Sequence, residues 1–245
     1  MTQFDWQQRL MSRFRGAGKR PDGPLEGLDA LFWDNEGPVV HKWLHYLPIY
    51  ETHFARFRDR PFRMLEIGVH QGGSLQMWRR YFGPQATIYG IDIDPDCAEY
   101  DGLAGQVRIG SQADPEFLRA VVAEMGGVDL VLDDGSHHAD HQRVSLEALF
   151  PLLSEGGIYA IEDLHTAYWG ADFAGGEGRT GGFMAVLKDM LDDMHHWHHD
   201  AGERVAATAG HLKGMHLYDS VAVLEKGRVD APSHVRRGTE KGELT

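Results

Sequence analysis

The chain has 245 residues, with 24 Lys and Arg against 37 Asp and Glu and a formal net charge of −13. That length accommodates one large α/β domain with appendages, and that charge repels phosphate backbones and anionic membranes, which argues against a nucleic-acid or membrane partner. Cys97 is the single cysteine, no apolar run reaches the roughly 20 residues of a spanning helix, and the first fifteen residues lack the apolar core of a secretory signal. An intramolecular disulfide framework is excluded, and a cytoplasmic location is expected.

Residues 1–16 carry Phe4, Trp6, Leu10, Met11 and Phe14 at approximately helical spacing, and the turn residues from Lys19 to Pro24 break the pattern. From Pro38 to Phe57 the apolar positions Trp43, Leu44, Leu47, Tyr50, Phe54 and Phe57 again describe a helical face, interrupted by Pro48. Residues 1–60 therefore read as an N-terminal helical appendage on the substrate side. From Arg63 the pattern becomes strand, turn, helix. Strands are expected at Met64–Val69, Thr87–Ile93, Gln106–Gly110, Val128–Leu132 and Gly157–Ile161, with helices after the first, third and fourth. Asp114 before Pro115 predicts an N-cap and a first helical position. This alternation calls for a doubly wound, mostly parallel sheet over residues 61–230. Beyond Leu164 comes a glycine-rich stretch, Gly175 to Gly182, read equally as a lid or a connector. A helix from Phe183 to about His199, a strand pair at Met215–Asp219 and Val221–Lys226, and a polar tail over 231–245 complete the chain.

Two stretches carry the chemistry. Val131 to His138 and Ile158 to His165 are each an apolar run ending in a pair of acids, at the carboxyl ends of strands where α/β sheets place their sites. Asp134, Glu162 and Asp163 are expected to converge there, and clustered carboxylates call for a compensating cation, with Mg²⁺, Ca²⁺ or Mn²⁺ preferred by oxygen ligands. His137 lies three residues past Asp134, and an imidazole, ordinarily near pKa 6.5, can accept a proton at neutral pH. At the first strand, Glu66, Gly68, Gly72 and Gly73 do not complete G-x-G-x-x-G. Asp92 sits 92 − 68 = 24 residues after Gly68, where an acid accepts hydrogen bonds from ribose hydroxyls. That spacing suits NAD and S-adenosylmethionine alike, and an acid inside the first strand favours the cationic ligand.

These motifs together resemble the class I S-adenosylmethionine-dependent methyltransferases. The resemblance implies that Glu66, Gly68, Ser74 and Asp92 contact the amino-acid and ribose parts of the cofactor, with Ser111, Gln112 and Asp133 near ribose and adenine. Asp133-Asp134-Gly135-Ser136-His137, the run Ile161 to Trp169 and the run His216 to Ser220 are similar to the metal-dependent O-methyltransferases of macrolide and deoxysugar tailoring, with the cephalosporin-type enzymes as further relatives. Lys42 to Tyr50, with His53 and Phe54, resembles a segment that approaches the substrate in that group. The likeness implies Mg²⁺ on Asp134, Glu162 and Asp163, His137 as general base, a sugar or glycoside as small-molecule substrate, and a homo-oligomer. Catechol methyltransferases share the acidic layout but typically carry Lys at the position of His137, which argues against a phenolic acceptor. The long extra N-terminal domain of the macrolide enzymes is not expected from this sequence. An NAD-dependent oxidoreductase, an O-methyltransferase of another hydroxylated metabolite and a non-catalytic cofactor sensor are the competing readings. His195, His196, His198 and His199 look metal-like but complete no zinc spacing, so substrate contact or an oligomer interface is expected there.

Overall fold

The computed structural model describes residues 18–169 and 182–238. The expected helix at 1–16, the glycine-rich stretch up to 181 and the last residues of the tail lie outside them. Seven strands, β1 (Phe62–Ile67), β2 (Ala86–Asp92), β3 (Gln106–Ile109), β4 (Val128–Asp133), β5 (Leu153–Ile161), β6 (Leu212–Leu217) and β7 (Ala222–Lys226), form one sheet in the order β3-β2-β1-β4-β5-β7-β6. The first five are parallel, and β7 runs antiparallel to both β5 and β6. The expected doubly wound sheet with a C-terminal strand pair is thus what forms.

Both faces of the sheet are covered, which is why β4 is a nearly continuous apolar run with Val128, Leu130, Val131 and Leu132 fully buried. On one face, helices α4 (Pro115–Met125), α5 (Ala139–Leu149) and α6 (Phe183–Met194) pack on Leu65, Ile67, Val131, Tyr159 and Ile161. On the other, α1 (Gly27–Trp33), α2 (Leu47–Phe54) and α3 (Gly73–Phe82) pack on Met64, Ile88, Leu130, Leu132 and Val223. Residues of the N-terminal segment, Tyr46, Tyr50 and Phe54 among them, share this second core with the sheet. Among the described residues no helix is long and apolar enough to cross a membrane.

Several boundaries differ from expectation for local reasons. Pro48 starts α2 instead of interrupting a longer helix, because its missing N–H costs nothing in a first turn. Residues 38–43 are consequently not helical. Helix α5 ends at Leu149, ahead of a 3₁₀ turn (Phe150–Leu152) that contains Pro151. Strand β5 begins at Leu153, four residues early, with a register irregularity opposite Val128 to Leu130 where Ser154, Glu155 and Gly156 interrupt the apolar pattern. Between β2 and β3 only a 3₁₀ segment (Pro95–Tyr100) forms, capped by Asp94. Helix α6 stops at Met194, and α1 has no counterpart among the expected elements. Asp114 does cap α4, accepting from the amides of Glu116 (3.0 Å) and Phe117 (3.2 Å).

Candidate active site

The carboxyl edge of the sheet is held by hydrogen bonds that continue the ladder one residue past each strand. The amide of Gly68 donates to the Ile91 carbonyl (2.8 Å), Asp134 to Ile67 (3.0 Å), Glu162 to Asp133 (2.9 Å) and Gly110 to Asp92 (2.8 Å). These bonds fix where each loop departs. Gly68 has φ +97°, and a Cβ there would lie 2.2 Å from the Asp134 carbonyl oxygen, so only glycine lets the two loops meet. Between the loops opens a cleft of about 380 Å³ that reaches from Asp92 and Ser111 to Asp134, His137 and Asp163.

In the half nearest β1 to β3, Gly68, Ser74, Asp92, Ser111 and Gln112 line the cleft as expected positions for a cofactor. Asp92 Oδ2 accepts from the amides of Val69 (2.8 Å) and His70 (2.9 Å), and Oδ1 from that of Asp94 (2.9 Å). Burial pushes the Asp92 carboxyl up, but these amides outweigh it and hold it below the usual carboxylate range. Glu66 and Asp133, expected at the cofactor, lie beneath the cleft wall. Alternation along β1 turns Glu66 to the same face as Met64, where it accepts from Ser74 Oγ (2.9 Å) and Trp78 Nε1 (3.0 Å). Burial raises its carboxyl to about 7, against the pull of Lys42 and Trp78. Asp133 accepts from Ser145 Oγ (2.6 Å), Tyr159 OH (2.9 Å) and Gln112 Nε2 (3.1 Å), while Gln112 Oε1 takes the Ser136 amide (2.7 Å). Asp133 thereby positions Gln112, which in turn fixes the loop carrying His137.

The other half gathers acids around a lysine. Asp134, His137 and Asp163 each offer a ligand atom within 4.8 Å of the others. His137 Nε2 stands 3.5 Å from Asp163 Oδ2, and its Nδ1 is buried without a hydrogen-bond partner. Glu162 presents both oxygens to Lys42 Nζ (2.8 and 2.9 Å), and the same ammonium donates to Asp134 Oδ2. Burial and the Asp134 charge push the Glu162 carboxyl well up, with Lys42 opposing them. For Lys42, burial favours the neutral amine, but the charges of Asp134, Glu162 and Glu66 more than reverse that and keep the ammonium. Tyr46 OH donates to Asp163 Oδ1 (2.6 Å), and burial together with that carboxylate keeps the phenol protonated. His137 (φ +55°) and Asp163 (φ +56°) are both left-handed, a conformation that costs non-glycine residues free energy and gathers at functional sites. Sequence reasoning places Lys42 and Tyr46 only in a segment that resembles one approaching the substrate, and connects neither to the acids. No local pattern marks either, because their partners lie on strands more than ninety residues further on.

The histidine cluster at the end of α6 does something simpler. Ring nitrogens of His195, His196 and His199 each lie 2.8 to 2.9 Å from a backbone carbonyl, of Leu191, Asp193 and Asp192, so these side chains satisfy the last turn of the helix.

Strand order and cleft together define a Rossmann-like methyltransferase fold, with the two acidic strand ends set beside the Asp92 half of the cleft. Residues 65–164 match the family model described as a methyltransferase domain, and the chain contains such a domain. It is 45% identical over 227 residues to the 8-demethyl-8-(2-methoxy-alpha-L-rhamnosyl)-tetracenomycin-C 3'-O-methyltransferase of Streptomyces olivaceus, covering 87% of this chain and 56% of that protein. It is 37% identical over 238 residues to the mycinamicin VI 2''-O-methyltransferase of Micromonospora griseorubida, covering 91% and 57%. Among solved structures it is similar to the MycE methyltransferase from the mycinamycin biosynthetic pathway in complex with Mg, SAH and mycinamycin VI, with a TM-score of 0.71 at 37% identity, over 82% of this chain and 54% of that one. Crystal form 1 of the same enzyme in complex with Mg and SAH gives a TM-score of 0.75 at 35% identity, over 91% and 59%. The chain thus spans a little over half the length of the curated relatives it matches.

Proposed function

We propose that this chain transfers a methyl group from S-adenosylmethionine to a hydroxyl of a sugar, carried by a glycosylated natural product or a nucleotide, with Mg²⁺ or a similar divalent cation. The observation that carries the reading is the placement of Asp134, His137 and Asp163 within 4.8 Å of one another in the same cleft as Asp92, Ser111 and Gln112. Similarity to sugar O-methyltransferases supports the choice of acceptor.

The donor set fits a divalent ion. Asp134, Glu162 and Asp163 bring three negative charges together and Lys42 balances one, leaving two for a cation that favours oxygen ligands. Asp134 and Asp163 would hold it directly, with Glu162 tied to Asp134 through the shared lysine. The chemistry a metal supplies there is acidification of the acceptor hydroxyl. His137, beside those acids, takes the hydroxyl proton at Nε2. The hydroxyl oxygen forms a bond to the sulfonium methyl carbon while the carbon–sulfur bond breaks with its electron pair left on sulfur. Asp92 accepts from the ribose hydroxyls, and Ser111 and Gln112 bound the adenine side. The reading extends to a homo-oligomer; Leu217 and Val235 present exposed apolar surface, and sedimentation velocity measures the state directly.

The test is a mass-spectrometric screen of nucleotide sugars and glycosides for gain of one methyl, with and without Mg²⁺. For an acceptor so found, His137→Ala is expected to lower kcat by about 10²- to 10⁴-fold, with S-adenosylmethionine affinity by calorimetry unchanged. Full activity in excess EDTA would remove the metal from the mechanism.

A further inference from the structure

Besides the acidic centre, the described residues hold a second group of side chains suited to a metal, on the outer half of the sheet. His53 of α2, His216 of β6 and Glu225 of β7 each offer one ring nitrogen or carboxylate oxygen, all within 4.8 Å of one another. Their convergence comes from strand register. His216 pairs with Val223, and Gly214 with Glu225, so His216 and Glu225 lie on the face that Val223 turns toward the core under α2. Glu225 is also level with Ile158, well back from the Ile161 end of β5 where the catalytic loops leave the sheet.

Ordinary packing explains these contacts poorly. The His53 and His216 rings lie with centroids 4.7 Å apart at 60°, and His216 Nε2 is 3.7 Å from Glu225 Oε1, too long for a hydrogen bond. Tyr218 OH, 2.9 Å from His53 Nε2, stands next to the group. Zinc–nitrogen bonds of about 2.0–2.1 Å put tetrahedral ligands roughly 3.3–3.5 Å apart. The side chains of His216 and Glu225 are 42% and 29% exposed, which leaves them room to rotate inward by that difference while His53 stays fixed in the core.

We propose that His53, His216 and Glu225 form a second metal site, separate from the carboxylate centre, that binds Zn²⁺ or a similar borderline cation and leaves one position to water or to Tyr218. Two histidines and one carboxylate are a common zinc set, whereas Mg²⁺ prefers the oxygen-rich group at Asp134 and Asp163. The ion would clasp α2 to the β6–β7 hairpin. The turn just before α2 also meets the hairpin, a His45 ring nitrogen lying 3.3 Å from the Asp219 carbonyl. A metal there would therefore steady the segment that delivers Lys42 and Tyr46 to the acids.

The experiment is zinc titration of the EDTA-stripped full chain in excess Mg²⁺, by competition with a chromophoric chelator, with the thermal midpoint followed in parallel. One zinc per chain and a raised midpoint are expected. His216→Ala and Glu225→Gln should each weaken zinc by at least about tenfold and abolish the thermal shift, whereas His137→Ala and His198→Ala should retain both. Circular dichroism checks folding, and if His216→Ala does not fold, Glu225→Gln decides. No zinc uptake overturns the proposal, as does uptake that survives Glu225→Gln or is lost in His137→Ala or His198→Ala.

Discussion

The two halves of the cleft solve the same problem in opposite ways. Both must hold ionised carboxylates at the ends of buried strands. In the half between β1 and β3, Asp92 is stabilised by backbone amides, that of Asp94 two residues on and those of Val69 and His70, 23 and 22 residues back on the loop after β1. In the other half, Asp134 and Glu162 depend on Lys42, which arrives from 92 and 120 residues away. Amides are permanent and carry no net charge. A lysine is a counterion, so the acidic half stays responsive to other cations while the cofactor half does not.

The largest effect that separates the halves is expected from Lys42→Met. Removing the ammonium leaves buried Glu162 and half-buried Asp134 with no compensating charge, and breaking a buried pair costs roughly 3–5 kcal/mol. Urea unfolding in EDTA should show that loss, and Mg²⁺ should restore part of it by binding the freed carboxylates. Equal destabilisation with and without Mg²⁺ would mean that the lysine is packing and not a counterion.

A smaller effect is expected at Glu66, which lies between the halves. Its carboxyl is raised from the usual 4.5 to about 7, chiefly by burial. Between those values the folded chain holds a proton that the unfolded chain has released, so the stability this group contributes is full below about 4.5 and is lost as pH rises through about 7. Glu66→Gln keeps an acceptor for Trp78 and can donate to Ser74 without ionising. Relative to the native chain, the variant should gain on the order of 2–3 kcal/mol between pH 5 and pH 8. A pH-independent difference in urea unfolding would show that Glu66 does not exchange a proton on folding.

The contrast also explains what is readable in the sequence. The strands of the first half, the Gly68 turn and the Asp114 cap are legible because each depends on neighbours within a few residues, through apolar runs, glycine breaks and capping side chains, and Asp92 is legible as an acid at a strand end. The acids and His137 of the second half are legible as types at strand ends. Their counterion is not, since Lys42 looks like any lysine on a mixed segment until the sheet brings β4 and β5 beside it. Glu66 and Asp133 are a different case: both lie on the expected strands, but the sequence does not show the two-residue alternation that turns Glu66 toward Trp78, or the buried Ser145 and Tyr159 hydroxyls that bond Asp133. The clasp formed by His53, His216 and Glu225 joins residues more than 150 positions apart in sequence, beyond the reach of any spacing rule.

The smallest effect tests whether the first half is as self-contained as its hydrogen bonds imply. Asp92→Asn leaves an oxygen for the Val69 and His70 amides but turns an N–H₂ toward the Asp94 amide, so one backbone bond becomes a donor–donor contact. The charge that would accept from ribose hydroxyls is lost as well. A hydrogen bond to a charged group contributes about 1.5–3 kcal/mol, so S-adenosylmethionine affinity should fall by about tenfold or somewhat more, with kcat at saturating cofactor nearly unchanged. Because amides hold the folded Asp92 carboxyl below its ordinary range, its contribution to stability is present above the unfolded pKa and is lost as pH falls through the folded one. The variant should therefore lack part of the acid-induced loss seen in the native chain. The Mg²⁺ midpoint for activity is the sharpest readout. If it stays fixed in Asp92→Asn while cofactor affinity drops, the two halves are energetically separate; if it moves in step, the contact between the loops that carry Gly68 and Asp134 transmits the change, and the amides around Asp92 do not insulate it.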